Sequence, residues 1–198
     1  MGMAKMQKSE LIRALTRLGE ICSPDTRIVL AGGAALILGG FIERSTDDGD
    51  VVHSEPSLAS IQDLVGYVAD ERALSPAWLN DGVKAWADVL PQDFGERLEE
   101  VGTFGNLHVR RLGRLDLLVM KFFALREQDL EDLEAMRPTA GEIAFVRAQL
   151  GRIAQTRPDK AMKMQLYLDQ GAALATVQAS AKAPPHRGGP VDGNANEE

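Results

Sequence analysis

Two acidic side chains, Asp48 and Asp50, flank a glycine at the head of a short apolar run, DGDVVH (48–53). Read as a strand, this segment sends residues i and i+2 to one face, with Cα atoms ~7 Å apart. Carboxylates held that close repel each other and resist desolvation. A divalent cation removes the conflict, and Mg²⁺ favours carboxylate together with phosphate oxygens. Such a pair can hold metal against a triphosphate and activate an attacking hydroxyl. Asp47 would point to the other face and serve the turn. Taken alone, DDGD also reads as a solvated loop, because Asp and Gly are both turn residues.

A second feature lies upstream, where Gly32-Gly33 separates RIVLA (27–31) from AALILGGF (34–41). The first run suits a buried strand and the second a buried helix. Glycines in such a turn let backbone N–H groups approach a phosphate, and a helix N-terminus adds partial positive charge. A lone Gly-Gly turn also serves tight packing. The 14 residues Ala34–Asp47 lie between Gly33 and Asp48. They suffice for a helix and a turn that bring the chain back beside its first strand. The glycines and the carboxylates can then meet at one end of a sheet.

The remaining elements frame this pair. Residues 8–21 place Leu11, Ile12, Leu15, Leu18 and Ile21 at three-to-four spacing, with Ser9 as N-cap, which predicts an amphipathic helix. Pro56 opens a predicted helix to about Glu71, and 72–95 reads as irregular with a short helical piece near Trp86. Leu98–Phe104 and Leu107–Leu112 read as strands joined at Gly105-Asn106. From Leu115 the pattern is helical to about Met136 in two pieces, and Pro138 stops it. Two more helices are predicted at 139–154 and from Pro158 to about Gln178. The expected fold class is α/β (α+β): a mixed sheet flanked by helices, followed by a C-terminal helical section. The expected division is a core over 1–136, a helical section over 137–180 and a disordered tail over 181–198, whose Gly- and Pro-rich sequence has little to bury.

Composition narrows the function classes. In 198 residues, 44% are hydrophobic and 26% charged, typical of a globular chain able to bury its own core. The net charge of −7 counts against a broad non-specific nucleic-acid surface, though not against a small nucleotide or RNA-end site. A single cysteine, Cys22, cannot form an internal disulfide and fits a reducing compartment. No apolar run reaches the ~20 residues that span a bilayer, and the N-terminus lacks an apolar signal core. A cytoplasmic protein without a membrane segment is expected. His53, His108 and His186 make no zinc pattern with one cysteine. His53 would face away from Asp50 if the strand runs on regularly. Trp78 and Trp86, with Met162 and Met164, read as fillers of core gaps, and Arg110, Arg111 and Arg114 as a solvated face that could receive an RNA phosphate.

The order strand, Gly-Gly, helix, then a strand with two acids resembles the nucleotidyltransferase fold of the DNA polymerase β superfamily. More finely, Arg44-x-Thr46-x-Asp48-x-Asp50 resembles the RxTxDxD signature of bacterial nucleotidyltransferase-like proteins, a group that includes the AbiEii toxins and uncharacterised relatives. A second block, Lys121-x-x-Ala124-x-Arg126-x-x-Asp129-x-x-Asp132, resembles their downstream helix pair. The likeness covers roughly residues 8–135. It implies that Gly32 and Gly33 contact a triphosphate and that Asp48 and Asp50 bind Mg²⁺. It further implies that Lys121 meets phosphates, that Asp129 and Asp132 support the pocket, and that Arg44 and Thr46 orient the strand entry or touch phosphate.

Two departures stand beside the likeness. Gly49 replaces the usual apolar residue between the acids, and it weakens a strand. The third carboxylate of the superfamily has no clear match; NLHVRRL carries His108, and only Glu99 or Glu100 on the preceding segment could substitute. The expected function is therefore a Mg²⁺-dependent transfer of a nucleoside monophosphate from an NTP to a hydroxyl on an RNA end, such as tRNA, or on a protein, with a toxin–antitoxin connection. The alternative is a catalytically weak or inactive module of the same fold that binds a nucleotide or a partner protein. A partner protein or homo-oligomer fits either reading.

Overall fold

The computed structural model of the chain describes residues 5–182, with side chains described through Gly171. Helix α1 (Lys8–Ile21) buries Leu11, Ala14, Leu15 and Leu18, the stripe its spacing predicts. Its N-cap is Gln7, two residues before the expected Ser9, and makes no side-chain cap. Chain direction at this point is set by Met6, whose backbone pairs with Thr46 (N···O 2.7 and 2.9 Å). Strand β1 (Thr26–Ala31) runs directly into helix α2 (Gly32–Leu38), and strand β2 (Gly49–Glu55) returns beside β1.

The helix expected from Pro56 begins later. Residues 58–61 form a 3₁₀ turn, and helix α3 (Gln62–Arg72) follows. The stretch expected to be irregular contains a two-residue strand, β3 (Leu79–Asn80), and a 3₁₀ segment over Gly82–Val89. Strands β4 (Glu99–Phe104) and β5 (Leu107–Arg111) form the expected hairpin. Helices α4 (Arg114–Ala124) and α5 (Glu127–Met136) meet at Leu125, which adopts a left-handed backbone. The C-terminal section is α6 (Ala140–Thr156) and α7 (Pro158–Lys182), which pack on each other and against α4. The tail expected over 181–198 lies outside the described residues except for the last two of α7.

The five strands form one mixed sheet in the order β3-β2-β1-β5-β4. β1 is antiparallel to β2 and parallel to β5, β3 is parallel to β2, and β4 is antiparallel to β5. Ile28, Leu30, Val51, Val109 and Leu107 join the apolar faces of α1 and α2 in the core. Helix α4 is buried along nearly its whole length, including two charged residues, Asp116 and Lys121. Burial of such groups requires partners, and both have them. Arg97 donates to Asp116 at 2.7 and 3.0 Å; the partners of Lys121 belong to the site below. Among the described residues no helix is long and apolar enough to cross a membrane.

Candidate functional site

The β1–α2 junction turns on Gly32, whose backbone is left-handed at φ +60°. A Cβ there would lie 2.1 Å from Asp50 Oδ2, so only glycine allows the carboxylate to sit against the bend. A Cβ on Gly33 would lie 3.0 Å from an Arg44 terminal nitrogen and 3.1 Å from Thr46 Oγ1. The bend therefore borders Asp50, Arg44 and Thr46 together. Antiparallel pairing produces this meeting, because Asp50 stands opposite Ala31 at the end of β1. Gly49 has a packing reason. A Cβ at that position would press on Leu79 Cδ1 at 3.2 Å, so the short edge strand β3 fills the space where an apolar side chain was expected.

Asp48 sits immediately before β2 rather than within it. Thr46, nearly buried, donates through Oγ1 to the Asp48 carbonyl (3.1 Å), and Asn80 Nδ2 donates to Asp48 Oδ2 (3.3 Å). Burial, then the nearby Asp48 charge, pushes the Asp50 carboxyl up to about 6, against the pull of Arg126 and Lys121. Both acids face Arg126, whose guanidinium feels their charge.

The residues of the second block form a closed ion network beside this pair. Arg44 grips Asp132 in two parallel bonds, 2.7 and 2.9 Å. Lys121 Nζ lies 2.7 Å from Asp129 Oδ1 and 2.6 Å from Asp132 Oδ2. Arg126 Nε donates to Asp129 Oδ2 at 2.7 Å, and that same oxygen accepts the Arg126 N–H at the start of α5. Burial pulls Asp129 and Asp132 upward, but hydrogen bonds from Arg126, Arg44 and Lys121 outweigh it and hold both below the ordinary range. The i, i+3 spacing of the two acids on α5 thus serves Lys121 from α4, with Asp129 also capping its own helix. Three cations face two carboxylates here, so the network presents surplus positive charge to Asp48 and Asp50.

Among the described residues, Asp48 and Asp50 are the acids of this site that no cation holds in an ion pair. Their donor set, two unneutralised carboxylates beside a glycine bend, fits a divalent cation that needs further oxygens from a ligand or water. No group of three or more His, Cys, Asp or Glu side chains among the described residues is arranged to hold a metal by itself. Of the acids near the third-carboxylate position, Glu99 is engaged elsewhere. Glu99 pairs with Arg111 (2.6 Å), and Glu100 stands opposite Arg110 in the β4–β5 ladder. β5 reaches the site end of β1 with Leu112, whose N–H donates to Leu30.

Several residues differ from their sequence reading. His53 does not face away from Asp50. A bulge in β2 opposite Val29/Leu30 inserts one residue, and both side chains fall on one sheet face. Of the arginines at 110–114, only Arg110 is exposed as expected. Arg111 is buried with its guanidinium 4.8 Å from the Phe41 ring centre, and Arg114 pairs with Glu142 at 2.6 Å. Trp78 fills the core as expected, donating from its indole to Val65 O (3.0 Å). Trp86 does not: it is half-buried, with Arg126 above its ring at 5.7 Å. Arg126 was visible within the second block, whereas nothing in the sequence marked Asn80 as a neighbour of Asp48 or Trp86 as a neighbour of Arg126.

A family model described as "Nucleotidyltransferase of unknown function (DUF6036)" matches residues 9–140. No curated protein and no solved structure matches the chain. The matched region runs from α1 through α5 and includes every residue of the glycine bend, the acid pair and the ion network. The match spans more than half of the sequence, and the chain belongs to this family of nucleotidyltransferases of unknown function.

Proposed function

We propose that the protein is a Mg²⁺-dependent nucleotidyltransferase that moves a nucleoside monophosphate from an NTP to a hydroxyl on an RNA end or a protein. The observation that carries this reading is the meeting of Gly32 with Asp50, next to Asp48, at one end of the sheet. Asp48 and Asp50 would hold Mg²⁺, which supplies charge neutralisation for the triphosphate and activation of the acceptor hydroxyl. Backbone N–H groups of Gly32 and Gly33 would approach the phosphates at the bend bordered by Asp50, Arg44 and Thr46. Lys121 and Arg126 lend positive potential to the same place, and Arg44 with Asp132 holds Lys121 and the strand entry in position. The acceptor hydroxyl oxygen would attack the α-phosphorus and give up its proton to solvent, the bond from that phosphorus to the bridging oxygen of the β-phosphate would break, and pyrophosphate would leave.

The likeness of the two sequence blocks to the DNA polymerase β superfamily and to AbiEii-type toxins supports a toxin–antitoxin connection and a cytoplasmic setting. Transfer of label from [α-³²P]NTP to RNA or protein tests the reading. Activity is expected to require Mg²⁺ and to disappear in Asp48→Ala and Asp50→Ala. Full transfer by both variants would overturn it.

A second reading has its own observation. Glu99 is committed to Arg111, and Leu112 lies where β5 meets the site. A site in which, among the described residues, only Asp48 and Asp50 stand outside ion pairs favours a module that binds a nucleotide or a partner protein with weak or no turnover. Metal-dependent NTP binding without label transfer is the result expected of it.

A further inference from the structure

The 3₁₀ segment Gly82–Val89 crosses beside the acid pair and is tied down at three points. At its start, Asn80 links it to the site: Nδ2 donates to Asp48 Oδ2 (3.3 Å) and Oδ1 accepts the Gly82 N–H (3.0 Å). At its far end, two arginines from the end of α6 hold its backbone. Arg152 donates to Asp88 O (2.6 Å) and to Val89 O, and Arg157 donates to Ala85 O (3.1 Å). In the middle stands Trp86, half-buried between exposed neighbours. Its ring meets Phe123 edge-on, with centroids 5.7 Å apart, and Arg126 lies above it at 5.7 Å. Arg126 in turn is close enough to Asp50 and Asp48 to feel both charges. The strap thus carries the Arg126 guanidinium over its indole and is tied to the acid pair through Asn80.

Two features separate Trp86 from a core residue. The other indole, Trp78, is wholly buried and donates its N–H, as a core indole should. Trp86 is only half-buried, and among the described residues its N–H makes no hydrogen bond. Nucleobases stack on aromatic and guanidinium planes, and stacking needs no base-specific hydrogen bonds.

We propose that Trp86, together with Arg126, forms the shelf on which the nucleobase of the incoming NTP stacks while its phosphates lie at Gly32-Gly33 and the acid pair. This rests on the nucleotidyltransferase reading and adds the subsite that distinguishes a nucleotide from a bare polyphosphate. Because every base offers a π face, the shelf raises affinity for nucleotides as a class and discriminates weakly among bases.

The test compares ATP with inorganic tripolyphosphate, each with Mg²⁺, by calorimetric titration of the full chain. The wild-type protein is expected to bind ATP more tightly than tripolyphosphate. Trp86→Leu, which keeps apolar bulk against Phe123 but removes the π face, is expected to lose about 5- to 150-fold in ATP affinity. Its affinity for tripolyphosphate should not change. Trp86→Phe is expected to retain most of the ATP preference while losing the quenching of tryptophan emission that ATP produces in the wild type. An ATP preference that survives intact in Trp86→Leu overturns the shelf, as does equal wild-type binding of the two ligands. Should Trp86→Leu fail to fold, quenching that persists in Trp86→Phe overturns it. If neither ligand binds the wild type, the nucleotidyltransferase reading itself fails, a result distinct from loss of the shelf alone.

Discussion

Asp50 Oδ2 occupies the space that a side chain on Gly32 would need, 2.1 Å from the position of its missing Cβ. The bend and the acid are therefore one structural unit: neither can change without moving the other. Gly32→Ala would force a side chain into a left-handed backbone at a cost of about 1–2 kcal/mol, and would also displace the carboxylate. We expect a urea midpoint lowered accordingly and Mg²⁺-dependent NTP binding lost beyond what the stability change explains. Wild-type binding in a folded Gly32→Ala protein would show that the bend does not set the site.

Asp50 makes the metal-free protein sensitive to pH in a direction opposite to most acids. Its folded value, about 6, lies above the ordinary 3.8. The stability associated with its protonated form is thus complete below pH 3.8 and is lost as pH rises through about 6. With chelator present, Asp50→Asn is expected to be more stable than wild type above pH 6, by up to about 3 kcal/mol at about 1.4 kcal/mol per pH unit. The two should converge near pH 4. Adding Mg²⁺ should raise the melting temperature of the wild type at pH 7.5 and leave that of Asp50→Asn unchanged.

Lys121 is 5% exposed and neutralises Asp129 and Asp132, each 1% exposed. Lys121→Met would strand those carboxylates with only Arg44 and Arg126 as partners. Breaking a buried pair in this way costs about 3–5 kcal/mol, to be read from denaturant unfolding at pH 7. The depressed values of Asp129 and Asp132 contribute stability that is present above the ordinary carboxylate range and lost as pH falls through their folded values. The deficit of Lys121→Met should therefore hold down to about pH 4 and shrink below it. A constant deficit would show that Lys121 acts through packing alone.

The strap over Gly82–Val89 depends on α6. Arg152 reaches two of its carbonyls and Arg157 a third, while Asp88 accepts from Arg157. Removing both arginines is expected to speed amide exchange across residues 82–90 by about tenfold or more, since local openings of low free energy report on such ties. Exchange in β1 and β2 should stay near wild type. Equal acceleration everywhere would mean that the arginines stabilise the whole fold rather than this segment.

Much of the framework was legible in the chain because local patterns agree with the tertiary structure. The stripe of Leu11, Leu15 and Leu18, the RIVLA run, the Gly-Gly step and the hairpin at Gly105-Asn106 each appear where periodicity and turn chemistry put them. The helical stretch to Met136 does divide in two, at a Leu125 that the pattern did not locate, and ends ahead of Pro138. The boundaries that moved did so for tertiary reasons. Met6 pairing with Thr46 sets the start of α1, and Leu79 occupies the volume that makes Gly49 suitable in β2.

By itself, the sequence determined that a glycine bend and two acids would sit at the start of consecutive elements, because residue type and spacing act locally. Only the tertiary structure decided what surrounds them. The β2 bulge turned His53 onto the sheet face of Asp50, since one inserted residue reverses every later side chain. Packing of α4 on α5 consumed Asp129 and Asp132 on Lys121, because a buried ammonium must be neutralised by whatever acids the neighbouring helix presents. Arg152 and Arg157, more than sixty residues downstream, brought Trp86 to the rim through contacts with carbonyls that have no sequence signature. Which groups share a surface is settled by long-range packing, and no pattern of neighbours along the chain encodes it.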